Sequence, residues 1–203
     1  MLLLDHLAVS AETLDAGQEA VETALGVALQ PGGRHGHFGT HNRLLGLEDG
    51  LYLEVIAIDP GASGATRPRW FDLDRFAGAP RLTNWICRTK DLADEIAAFP
   101  EAGTPVALAR GGLRWRMAVP GNVILPFDNC FPALIEWLTD DHPATGLPPS
   151  GCRLDHLIVS HPEAQRLSAR LAGSLDDPRL SFETGPAGLR ADISTPHGAR
   201  VLS

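Results

Sequence analysis

The sequence predicts an α+β protein assembled from repeated βαβββ units, and three observations carry that reading. Residues 4–10 read Leu-Asp-His-Leu-Ala-Val-Ser and residues 154–160 read Leu-Asp-His-Leu-Ile-Val-Ser, identical at six of seven positions. A weaker copy, Leu-Thr-Asn-Trp-Ile-Cys-Arg, starts at Leu82 and puts Asn84 where His6 and His156 stand. Each copy then passes from a strand-like alternation into apolar residues at helical spacing, which makes the repeat a structural unit.

In the first unit a strand ends near Ser10, and Leu14, Val21 and Leu25 then recur on one helical face until Gly26 stops it. Two late strands, Asn42 to Leu47 and Leu51 to Ile58, flank an Asp49-Gly50 hairpin turn. The second unit repeats the order: a strand from Leu82, a helix carrying Leu92, Ile96 and Phe99, then strands at Arg114–Val119 and Ala133–Leu138. In the third, Pro162 sits at a helix start before Leu167 and Leu171, and Gly188-Leu189-Arg190 leads to Pro196 as Gly112-Leu113-Arg114 leads to Pro120. Glycine- and proline-rich stretches mark the joints. The expected organisation is a first βαβββ module over 1–60, a connector over 61–80, a second module over 81–139, a linker over 140–152 and a partial third βαββ module over 153–203.

A chain of 203 residues is ample for a buried core, and 44% hydrophobic with 21% charged residues is the balance of a globular protein. The formal charge of −8 argues against nucleic acid and against a polybasic membrane contact, leaving a small molecule or a protein as partner. Asp5 breaks the N-terminal apolar run, so neither a signal peptide nor a membrane span is expected. Cys87, Cys130 and Cys152 form no Cys-x-x-Cys pair and read as reduced thiols of a cytoplasmic protein. Lys90 is the only lysine, which leaves one residue for any amine chemistry.

Side chains alternate across a strand, so His6 shares a face with Leu4 and Ala8, and Glu54 projects with Tyr52 and Ile56 away from Leu53 and Val55. A carboxylate set among apolar residues needs a partner, because an unpaired buried charge is costly. Glu136, in Leu134-Ile135-Glu136-Trp137, repeats the anomaly. Each complete unit thus pairs a polar residue in its first strand with a glutamate in its last: His6 with Glu54, Asn84 with Glu136. Imidazole with carboxylate is a donor set for Zn, Mn, Ni or Fe; pairing of the glutamates with arginine is the structural alternative. If the first and third units pair, His6, Glu54 and His156 form a two-histidine, one-carboxylate triad instead. The stretch Gly32 to His41 holds His35, His37 and His41, a set suited to a metal or an anionic group, and reads otherwise as a loop before a strand. His41, Asn42 and Arg43 lie nearest the strand and are the better substrate contacts. Arg114 and Arg116 alternate with Trp115 and Met117 and either counter a glutamate or meet an acidic substrate; Trp85 and Trp137 read as core or cavity wall.

With Asp5-His6-Leu7 opening and Tyr52-Leu53-Glu54 closing the first unit, and Gly32 to Leu44 between them, the chain resembles the vicinal oxygen chelate superfamily, specifically its glyoxalase-like domain branch. The resemblance implies two modules joined into a curved mixed and antiparallel sheet around a cavity, with helices outside. It implies a divalent metal held by His6, Glu54 and Glu136, with Asn84 replacing the usual second histidine. It also implies a lyase, isomerase or dioxygenase acting on a small oxygenated molecule, with metal-bound Glu54 or His41 moving the proton; Asn42, Arg43, Asn84, Arg114 and Arg116 are the expected substrate contacts. No nucleotide cofactor is expected, and a homodimer is compatible with this scheme. The alternative within the same superfamily is a metal-free protein that sequesters a small molecule; a third, weaker reading makes the extra unit a protein-interaction scaffold.

Overall fold

The computed structural model describes residues 1–64 and 68–203. The first unit runs β1 (Leu3–Ser10), α1 (Leu14–Leu25), β2 (Gln30–His35), β3 (Thr40–Leu47) and β4 (Leu51–Ile58). The Thr13 side chain accepts from the Ala16 amide at the start of α1, and Gly26 ends the helix in the left-handed region at φ 74°, the two signals expected of helix termini. Leu14, Gly17, Val21 and Leu25 form the buried face of α1. A Cβ on Gly17 would stand 2.5 Å from a Val55 methyl, so glycine there lets the helix lie close on β4.

The second unit runs β5 (Arg81–Arg88), α2 (Leu92–Ala98), β6 (Thr104–Arg110), β7 (Leu113–Val119) and β8 (Ala133–Trp137). The Asp91 side chain caps α2 by accepting from the Ala93 and Asp94 amides. Between the units, Trp70–Asp72 makes a short 3-10 turn. All eight strands form one mixed sheet in the order β2-β3-β4-β1-β5-β8-β7-β6. The central pair β1 and β5 is antiparallel, and each has a parallel neighbour, β4 and β8 respectively. The sheet curls until its two edges meet, where Nη1 of Arg110 on β6 lies 3.0 Å from Nε2 of His35 on β2. The fully buried Leu7, Leu53, Val55 and Trp85 belong to the continuous hydrophobic core, each such aliphatic side chain contributing about 1.5–3 kcal/mol.

After α3 (Pro143–Gly146) the chain adds β9 (Arg153–Ser160), α4 (Ala164–Leu171), β10 (Leu180–Glu183), β11 (Gly188–Thr195) and β12 (Gly198–Leu202). These strands form a separate four-stranded sheet in the order β10-β9-β11-β12. Three strands follow α4, one more than the partial βαββ module expected over 153–203. Residues Gly32 to His35 also differ from the expected loop, since they lie in β2: Arg34 and His35 pair with His41 and Thr40 of β3, and Gly32 and Gly33 form a bulge before them. The physical reason is close approach: a Cβ on Gly32 would fall 2.0 Å from Oδ1 of Asn42, so only glycine lets the strands pack there. Among the described residues no helix is long and apolar enough to cross a membrane.

Candidate functional site

The concave face of the curled sheet gathers polar groups from four strands. β1 brings His6, β4 brings Tyr52 and Glu54, β3 brings Asn42, and β2 brings His35 to a cavity of about 30 Å³. That is room for about two waters. Arg110, Trp115 and Trp137 line the side of the second unit, and Trp70 with Phe71 completes the wall. Trp70 is held in a stack between Phe38 and Phe71, with ring centroids 4.6 and 5.2 Å away.

A run of polar contacts lines this cavity. Arg110 donates from Nη1 to Oδ1 of Asn42 at 3.2 Å, and that oxygen also accepts from the Gly33 amide at 2.7 Å. Nδ2 of Asn42 donates to Oε1 of Glu54 at 2.5 Å, and Oε2 of Glu54 lies 3.7 Å from Nε2 of His6. Nδ1 of His6 is 2.6 Å from Oδ1 of Asp5. A carboxylate at Nδ1 favours the tautomer with its proton there, which turns Nε2 toward Glu54. Oδ2 of Asp5 accepts from the indole of Trp137 at 3.1 Å and faces Nε2 of His142 at 3.0 Å. The Tyr52 ring stacks on His6 with centroids 4.3 Å apart, fixing the imidazole plane.

Electrostatics sort these groups. Burial alone would raise Asp5, but hydrogen bonds from His142 and His6 and their charges outweigh it and hold the carboxyl far below the usual range. Burial lowers His35 to about 4, with the Arg110 charge acting in the same direction and Glu54 opposing it. His35 is therefore neutral at pH 7; it accepts from Arg110 at Nε2, leaving the Nδ1 proton for the Thr40 hydroxyl 3.0 Å away. Burial, then the charges of Asp5 and Glu54, push the Tyr52 phenol well above 10, so it stays protonated. Burial also lowers His41.

The structure divides the residues singled out by the sequence. His6, Glu54 and Asn42 meet at the cavity. Arg43 turns to the helix side, donating to Gln18 of α1 at 3.1 Å, and alternation along β3 places His41 on that side with it. Glu136 forms a pair with Arg116, whose Nε donates to Oε2 at 2.8 Å, while its neighbours Ile135 and Trp137 face the cavity. Arg114 is exposed, and His156 is exposed on β9 of the other sheet. Asn84 lines a second cavity. Asp5, Tyr52, Arg110 and His142 join the site without having been singled out; the repeated Asp-His pair was the available signal for Asp5, and no local pattern marks Arg110.

The donor set can be tested against a metal. Nε2 of His6 and Oε2 of Glu54 are close enough to share an ion, but among the described residues no group of three His, Cys, Asp or Glu side chains could hold one. The other oxygen of Glu54 is engaged by Asn42, and the Arg110 cation lines the same cavity. Catalytic zinc sites typically use three protein ligands, so these residues do not make up a zinc site of that kind.

A family model described as a glyoxalase-like domain matches residues 4–175. The chain belongs to that glyoxalase-like family. Among solved structures, a hypothetical protein from Staphylococcus aureus is similar over 95% of this chain and 81% of its own, with 14% identity and a TM-score of 0.63. Methylmalonyl-CoA epimerase from Mycobacterium tuberculosis is 20% identical, with 66% of this chain and 85% of that chain covered and a TM-score of 0.44. A variant of the Streptomyces coelicolor methylmalonyl-CoA epimerase is 16% identical, with 68% and 97% covered and a TM-score of 0.45. The first of these likenesses shows a shared fold and extends no further than that. No curated protein matches the sequence.

Proposed function

We propose that this protein is an enzyme of the isomerase or lyase type that moves a proton on a small oxygenated molecule, with His6 and Glu54 as the proton-handling pair. The observation that carries the reading is the buried line Asp5, His6, Glu54, in which a carboxylate orients the imidazole and its far nitrogen stands 3.7 Å from a second carboxylate at a cavity. An imidazole positioned this way takes a proton at Nε2, and the Asp5 charge stabilises the imidazolium that forms. Glu54 accepts or returns a proton on the same side of the substrate. Arg110, beyond Asn42 from Glu54, supplies donors suited to a carbonyl or carboxylate oxygen that gains negative charge as the proton leaves. The 30 Å³ cavity is far below the usual volume of a ligand site, so substrate binding requires the cavity wall to yield.

The test follows carbon-bound hydrogen exchange in D2O by NMR, with a panel of small 2-oxo acids, 2-hydroxy acids and hydroxyaldehydes. Exchange beside a carbonyl should be catalysed by the wild type and fall roughly 100-fold or more in His6→Gln and in Glu54→Gln. Wild-type rates in both variants would overturn the assignment of the pair. Panel members that bind without any exchange would instead support the sequestration reading.

A further inference from the structure

His142 lies outside the residues that line the main cavity, yet its ring reaches the group that orients His6. Nε2 of His142 is 3.0 Å from Oδ2 of Asp5, beside the Trp137 indole nitrogen at 3.1 Å. Nη1 of Arg88, which also donates to the Gly50 carbonyl, stands 3.5 Å from the same oxygen. Nδ1 of His142 accepts from the Ala144 amide at 3.3 Å, which places the ring proton on Nε2, facing Asp5. The other Asp5 oxygen meets Nδ1 of His6, and Asp5 itself is fully buried. A carboxylate held at both oxygens cannot turn about its bond to Cβ without breaking a contact, so the donors at Oδ2 decide where Oδ1 points.

Local rules place His142. It precedes Pro143 and is extended, at φ −131° and ψ 141°, as a residue before proline tends to be, and its side chain caps α3. Its ring packs edge-on against Tyr52 and Trp137, with centroids 5.7 and 5.2 Å away. The linker that carries it is tied to the hairpin of β3 and β4: Oγ of Ser150 donates to the Gly46 carbonyl at 2.5 Å, and the Glu48 amide donates to the Cys152 carbonyl at 2.9 Å. We propose that His142 is a positioning residue for the proton transfer assigned to His6 and Glu54, an inference that rests on that reading. It holds Oδ2 of Asp5 so that Oδ1 keeps the His6 proton on Nδ1 and leaves Nε2 free toward Glu54. The segment that joins the eight-stranded sheet to the third unit thereby completes a site whose proton-handling pair belongs to the first unit.

The pair His142→Gln and His142→Asn separates this role from a structural one. Both lose the ring against Tyr52 and Trp137. Gln carries an amide donor at the reach of Nε2, whereas Asn keeps an acceptor for the Ala144 amide and falls short of Asp5. Nitrogen NMR of the histidine rings reports the His6 tautomer without any substrate, and the D2O exchange assay gives kcat and KM for the panel member that the wild type exchanges fastest. The wild type and His142→Gln should show His6 protonated at Nδ1. His142→Asn should show mixed tautomers, with kcat about tenfold lower and KM unchanged, since the lost hydrogen bond to a charged group acts through Asp5 and not on the cavity. The inference is overturned if the two variants behave alike in tautomer and rate, or if His142→Gln is the more impaired. A wild type that exchanges no panel member would overturn the proton-transfer reading, and the tautomer comparison would still decide whether His142 sets the His6 ring.

Discussion

Asp5 and His6 are consecutive residues of β1, and Oδ1 of the first lies 2.6 Å from Nδ1 of the second. Successive side chains of a regular strand point to opposite faces and do not meet. Here the pairing of β1 with β5 shifts register between Leu4 and His6, leaving Asp5 without a cross-strand partner. Such irregularities re-aim side chains beside active sites. The bend lets the fully buried Asp5 carboxylate reach the His6 imidazole while also serving Trp137 and His142.

Replacing Asp5 should therefore damage both orientation and stability. Asp5→Asn keeps the shape but removes the charge that its two histidine partners oppose, and a cost of about 3 kcal/mol is expected from breaking a buried ionic network. Because the folded-state pKa of Asp5 is depressed, its contribution is present above the unfolded value near 3.8 and is lost as pH falls below it. Urea titrations at pH 7 and pH 3 should show the wild type losing more stability than Asp5→Asn on acidification; equal losses would remove Asp5 from this role.

His35 acts over a different window. Its folded-state pKa of about 4 lies below the ordinary 6.5, so the unfolded chain binds the proton more readily and stability declines as pH falls from 6.5 toward 4. The full difference corresponds to about 3 kcal/mol. Denaturation midpoints measured across this range should slope downward in the wild type and flatten in His35→Gln.

Gly32→Ala tests the approach of β2 to β3. Its added Cβ, placed 2.0 Å from Oδ1 of Asn42, forces that amide away from Glu54 and Arg110. Overpacking of this kind costs about 1–3 kcal/mol. Thermal melting should show the loss, and binding at the main site should fall with it; a variant as stable as wild type would show that the strands part without consequence.

Arg110 joins the two edges of the sheet through His35 and Asn42. Arg110→Met retains much of the stem packing and removes the guanidinium. We expect about 2 kcal/mol of destabilisation from the charged hydrogen bonds lost, together with weaker binding of carboxylate- or carbonyl-bearing panel members at His6 and Glu54. Calorimetry at the main site checks the second effect, and unchanged affinity would remove Arg110 from substrate binding.

The two-donor geometry of His6 and Glu54 leads to a metal prediction as well. Protein incubated with Zn, Mn, Ni and Fe and then desalted should retain well under one equivalent by elemental analysis. Stoichiometric metal in the wild type, lost in Glu54→Gln, would show that a further ligand arrives from outside the arrangement described. Glu136→Gln should have no effect on metal content, because its carboxylate is paired with Arg116.

Much of the fold and part of the site were legible in advance. Helix periodicity with Thr13 and Gly26 at its ends marked α1, and alternation in Leu51 to Ile58 correctly put Glu54 on a face with Tyr52. The same alternation could not tell which face of β8 would be concave. Glu136 looked equivalent to Glu54, yet the bulky Ile135 and Trp137 turn to the cavity and the neighbouring strand offers Arg116 on the outer side. Around the glycines of β2 the sequence read as a loop because glycine disfavours strands in isolation; the need for contact with Asn42 overrides that preference.

By itself the sequence determined the repeated strand-helix unit, the amphipathic helices and the isolation of His6 and Glu54 among apolar neighbours, because these follow from spacing along a single segment. Only the tertiary structure decided that Asp5 reaches His6 around a register shift, that Arg110 closes the curled sheet onto Asn42, and that Asn84 and His156 stand away from the cavity. Those outcomes depend on how distant strands are placed and curled against one another. Local periodicity fixes which side chains share a face, whereas long-range pairing decides what that face meets.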